Sequence, residues 1–122
     1  MDELILRLVA NVGLDKATAE KSVGIILDFL VKEGPPEQVQ PLIDKLPGAQ
    51  TLIDVQQARD TGGGMFAMGG LMGAGTKLMG AGLSMGQVQS VTKEIIGYAR
   101  KKVGEDAIGE IVGAIPGLSQ FV

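Results

Sequence analysis

The chain contains no histidine, no cysteine and no tryptophan, and only 3% of its 122 residues are aromatic. Without histidine it lacks the side chain whose unperturbed charge changes near neutral pH. Without cysteine it has neither a thiolate nucleophile nor a disulfide. Together these absences remove the preferred ligands of zinc, copper and haem. Carboxylates remain available to a hard cation, but no D-x-[DN]-x-[DN]-G run occurs and the acids are scattered. No catalytic residue, metal or cofactor is therefore expected, and the chain reads as a non-enzyme. The shortage of aromatics leaves Leu, Ile, Val, Met and Ala to build the core, a mixture suited to close-packed helices.

Long apolar runs are also missing. No unbroken stretch approaches the roughly 18–20 residues of a conventional membrane span. Met1-Asp2-Glu3 is acidic where a signal peptide is basic, so the sequence reads as cytoplasmic. Eleven Lys and Arg against fourteen Asp and Glu give a net charge of −3, without the broad positive field that nucleic acids require, so no nucleic-acid partner is expected. The one basic run, Arg100-Lys101-Lys102, reads as a solvated last turn complementing a helix dipole. Ser22, Ser84, Ser90 and Ser119 form no constellation with a base. Lys16 and Glu20 read as an exposed i,i+4 pair.

What is present is helical periodicity. Leu4, Ile5, Leu8, Val9 and Val12 share one helical face between Asp2, a good cap, and Gly13. Asp15 caps a second helix carried by Ala19, Ser22, Val23, Ile26, Leu27 and Leu30 and stopped by Gly34-Pro35-Pro36. Val39, Leu42, Ile43 and Leu46 mark a third, ended by Pro47-Gly48, with Pro41 predicting a kink or a start only at Gln40. Later, Ser84-Met85-Gly86-Gln87 forms a capping box before Val88, Val91, Thr92, Ile95, Ile96, Ala99 and Val103. Ile108, Ile111, Val112 and Ile115 follow, ended by Pro116-Gly117.

These two series superpose without a gap at an offset of 69 residues, which pairs Leu14 with Leu83, Ile26 with Ile95, Leu42 with Ile111 and Pro47-Gly48 with Pro116-Gly117. One ungapped register through two helices and their Pro-Gly ends predicts an internal duplication. The expected architecture is an all-α compact bundle of two tandem three-helix units, 1–53 and 70–122, joined by a Gly-rich linker, 54–69, and related by pseudo-two-fold symmetry. Each unit is small, so the two are expected to share one core.

The centre is rich in glycine and methionine: all of the six methionines except Met1 lie between Met65 and Met85. Leu71-Met72-Gly73-Ala74-Gly75 is echoed seven residues on by Leu78-Met79-Gly80-Ala81-Gly82, a spacing that returns side chains to nearly the same helical face. Glycine costs a helix roughly 1 kcal/mol relative to alanine, so such a helix forms only when packed against something. The preferred reading makes 71–81 the first helix of the second unit, with Gly69, Gly73 and Gly80 allowing close approach. A flexible loop exposing Met and Phe to a protein partner is the second reading, and contact with lipid or an apolar ligand the third. The candidate apolar contact surface comprises Met65, Phe66, Met68, Leu71, Met72, Leu78 and Met79. Gly70 to Gly75 has Walker-type glycine spacing, but Thr76-Lys77 places the lysine wrongly for a phosphate cradle.

A helical unit ending Leu46-Pro47-Gly48-Ala49, a Gly/Met/Leu-rich centre and a second unit opening Gly82-Leu83-Ser84 together resemble small bacterial all-helical proteins of unknown function of the VcgC/VcgE and YidB type. The resemblance implies an α-helical bacterial protein without established enzymatic activity, and it supplies no site residues. The functional expectation is a protein-interaction or self-assembly protein, with homo-oligomerisation as one form. The alternative is a binding module for lipid or a small apolar ligand, or a membrane-surface protein.

Overall fold

The computed structural model of the protein describes residues 2–46, 48–60, 70–115 and 118, and of 2, 56–60 and 70–72 the backbone alone. Seven helices and no strand occur among the described residues: α1 (Asp2–Val12), α2 (Lys16–Glu33), α3 (Pro36–Asp44), α4 (Ala49–Asp60), α5 (Gly70–Gly80), α6 (Met85–Val103) and α7 (Glu105–Ala114). The protein is all-α. No helix among the described residues is long and apolar enough to cross a membrane.

The middle of α2 is the centre of the fold. Every residue from Ser22 to Leu30 is buried, because α1, α3, α4, α5 and α6 all pack against this helix. A helix buried on all sides reads as nearly continuous hydrophobicity, which explains why Ile25 and Phe29, off the expected stripe, are also in the core. The α2 segment admits Ser22 because its hydroxyl donates to the Thr18 carbonyl at 2.8 Å; in α6 the buried Thr92 hydroxyl donates likewise to Val88 at 2.9 Å. Leu4 and Leu8 from α1, Leu42 from α3, Ile53 from α4, Leu78 from α5, Ile95 and Ile96 from α6, and Ile108 from α7 complete one contiguous aliphatic core.

The packing pairs are reciprocal. Helix α1 lies on α2 and on α6, while α5 lies on α6 and on α2; α2 carries α3, α6 carries α7, and α3 meets α7. Arg7 of α1 reaches Glu94 of α6 at 3.4 Å, a partly exposed pair of small energetic value.

Several expectations need correction. The third helix starts at Pro36, not Gln40, and contains Pro41 within it. Pro36 stands where an N–H would be unsatisfied anyway, and Pro41 is exposed, so its missing bond falls on the solvent face. The stretch expected as linker begins as helix, because α4 runs through Asp60. Its first residues bury Ala49 and Ile53 against α2, giving the first half four helices instead of three. Lys16 and Glu20 form no ion pair within the described residues; the i,i+4 pair in α2 is Asp28 with Lys32, at 3.0 Å.

Gly34 closes α2 in a crowded corner. Its N–H donates to the Leu30 carbonyl at 2.8 Å, and a Cβ there would sit 2.7 Å from that same oxygen and 2.8 Å from Cγ2 of Val39. Backbone cannot yield as a side chain does. Gly34→Ala is expected to cost about 1–3 kcal/mol by overpacking, read as a fall in the urea midpoint at unchanged slope. A midpoint equal to that of the native chain would show the corner to be loose.

Candidate apolar contact surface at the α5–α6 turn

Of the residues read from sequence as a contact surface, Met65, Phe66 and Met68 lie outside the described residues, and Leu71 and Met72 are placed only as backbone at the start of α5. Leu78 and Met79 are fully placed, and they separate. Leu78 is completely buried, whereas Met79 is 49% exposed. Leu78 therefore belongs to the core and not to a surface.

The cause lies in how α5 ends. Leu83 N–H donates to Leu78 C=O at 3.2 Å, and Gly82 N–H to Met79 C=O at 3.0 Å, with Gly82 at φ 108°. This is the Schellman pattern, in which a left-handed glycine closes the helix and the residues at its two ends meet through an apolar contact. Those two are Leu78 and Leu83, both buried. With Leu78 turned inward, Met79 points to solvent. Gly80 and Gly75 border open space, so neither serves close approach, although Gly73 is buried.

Beyond the turn, Ser84 caps α6 as expected. Its hydroxyl accepts from Gln87 N–H at 3.3 Å, and Gln87 Oε1 accepts from Ser84 N–H at 2.9 Å, completing the capping box. The Gln87 amide also donates to the Val12 carbonyl at 3.4 Å, so one side chain serves the start of α6 and the end of α1. Met85, in the first turn of α6, is 58% exposed. It was not among the sequence candidates, because its position reads simply as a helix start.

The α1–α2 turn repeats part of this design. Gly13 has φ 86°, Leu14 is buried, and Asp15 takes φ −78° and ψ 164° against −78° and 167° at Ser84. Asp15 makes no full capping bond to the helix, but the Thr18 hydroxyl beside its carboxylate holds its pKa below the ordinary value. A depressed carboxylate pKa adds stability above the unfolded value and loses it as pH falls through the folded one.

Sequence reading also missed Asp28, which is 2% exposed and paired with the half-exposed Lys32 one turn on. Among the described residues no group of His, Cys, Asp or Glu is arranged to hold a metal, and no buried side-chain polar atom lacks a partner. Comparison with family models, with curated proteins and with solved structures returns no match for this chain.

The capping geometry fixes an order of mutational costs. Ser84→Ala is expected to cost about 1 kcal/mol, as cap removals do. Gln87→Ala is expected to cost more, since it strips acceptors and donors from both α6 and α1. Thermal unfolding of the two variants checks the order; equal or reversed losses would show that the Gln87 bridge to Val12 contributes nothing.

Proposed function

We propose that the chain is a tandem duplication whose repeated three-helix units, α1–α3 and α5–α7, pack about an approximate two-fold axis, with α4 outside the repeat. In this reading it works as a non-enzymatic protein-interaction or self-assembly protein through the methionine-bearing turn of the second unit. Three features support the duplication. At the 69-residue offset, α1, α2 and α3 fall on α5, α6 and α7 with ends agreeing to within a residue. The packing is exchanged, α1 on α6 and α5 on α2. Both Gly-Leu-cap turns have a positive-φ glycine, and Asp15 and Ser84 have nearly the same φ and ψ. Kinship with the VcgC/VcgE and YidB type belongs to the same proposal.

One observation carries the functional part. The same offset places Met79 on Ala10 and Met85 on Lys16, and all four positions are exposed. The positive-φ glycine and the buried leucine after it, Gly13-Leu14 and Gly82-Leu83, are kept between the copies, so such a turn also forms with alanine and lysine at these two places. Two exposed methionines at one turn are then surplus to folding. Methionine is flexible and polarizable, and it adapts to irregular apolar partners at small cost.

Exchanging the surface of one copy for that of the other separates the two requirements. In Met79→Ala/Met85→Lys the melting temperature is expected to stay within about 2 °C of the native chain, as for surface changes away from packing. Self-association of the native chain, followed by light scattering across a wide concentration range, is expected to be lost. A native chain that stays strictly monomeric, or a variant that associates equally well, would remove the self-assembly reading.

A further inference from the structure

The other end of α6 differs between the copies in a second way. Successive helix residues are about 100° apart, so the exposed Arg100, Lys101 and Lys102 ring most of the helix end. Lys45 comes in from the end of α3 and its Nζ donates to the Lys102 carbonyl at 3.3 Å. Lys102 in turn holds its Nζ 5.2 Å from the centre of the Tyr98 ring. Lys45 thus joins the cationic end of α6 from 57 residues away in sequence, and none of the four cations has a carboxylate partner among the described residues. Glu105 and Asp106, at the exposed start of α7, border the corner without pairing with it.

Helix-dipole compensation alone does not require this. At the 69-residue offset the four positions are Val31, Lys32, Glu33 and Ala114, and Tyr98 falls on Phe29. Helix α2 therefore ends with one cation and one anion where α6 ends with three cations. The comparison of the two ends rests on the duplication proposed above, while the cluster itself is independent of it.

We infer that Lys45, Arg100, Lys101 and Lys102 form a docking surface for a short acidic segment of a partner protein. The extent of the patch selects the partner. Setting these four aside leaves seven basic against fourteen acidic residues, a net charge of −7 on the remainder of the chain. A nucleic acid or an anionic bilayer extends well beyond the screening length of about 8 Å and would meet that acidic remainder. A short acidic peptide is small enough to meet the patch with few of those acids, Glu105 and Asp106 at its border among them. Helix α6 rises about 1.5 Å per residue along its 19 residues, so the patch lies at the opposite end from Met85, and the two surfaces bind independently.

Fluorescence anisotropy of a labelled oligoglutamate peptide, titrated with the full chain at low ionic strength, tests this. Saturable binding is expected, and Arg100→Gln/Lys101→Gln is expected to weaken it roughly tenfold through loss of charge-assisted contacts. Lys21→Gln/Lys93→Gln, with the same change in net charge but outside the patch, is expected to leave it unchanged. Met79→Ala/Met85→Lys is also expected to bind the peptide normally, which separates this surface from the methionine turn. Should the first double variant lose helix by circular dichroism, Lys45→Gln/Lys101→Gln carries the same expectation. Absent binding, equal weakening by the control pair, or tighter binding to a single-stranded oligonucleotide or to phosphatidylserine vesicles than to the peptide would overturn the inference.

Discussion

Everything in this protein is arranged around the burial of α2. A helix with no solvent face from Ser22 to Leu30 must be covered on every side, and no single neighbour is large enough to do so. Cover comes from α1, α3 and α4 of its own half and from α5 and α6 of the other. With 3% aromatics and aliphatic side chains throughout, the stabilisation is spread over many Leu, Ile and Val contacts rather than concentrated in a few rings. Truncating a core leucine of this kind typically costs 2–5 kcal/mol. The second half depends on the first in the same way, since α6 is covered by α1 as well as by α5.

That shared cover frees the helix ends to differ. The two Gly-Leu-cap turns keep what packing demands, a positive-φ glycine and a buried leucine, and they vary in what faces water. One turn presents Ala10 and Lys16, the other Met79 and Met85. The ends of α2 and α6 vary likewise, one mixed in charge and one purely basic. In both comparisons the second half of the chain carries the more distinctive chemistry, apolar at one end of α6 and cationic at the other.

Sequence made the helices legible where their ends carry strong local signals. The Ser84/Gln87 box, the glycines at 13 and 82 and the Ile or Leu spacings placed most elements within a residue or two. Helix α4 escaped because Leu52-Ile53 is its only apolar pair before the exposed Val55, too thin a stripe to register. Pro41 misled because the rule against interior proline presumes a bond worth keeping, and here that bond faces water. Leu78 and Met79 read as one surface because they are neighbours in a repeated LMGAG echo; only the Schellman closure onto Leu83 divides them. The arrival of Lys45 at α6 carries no sequence signal, since it depends on contact between distant segments, and Met85 reads simply as a helix start.

The two halves stand or fall together, because each covers the other's long helix. Tyr98 in α6 is the only tyrosine, and there is no tryptophan, so intrinsic fluorescence reports on the second half alone while far-UV circular dichroism reports on every helix. Followed by both signals during urea unfolding, the chain should give coincident transitions with one midpoint and one slope. A fluorescence transition displaced from the dichroism transition would mean that the halves unfold separately, and would contradict the account.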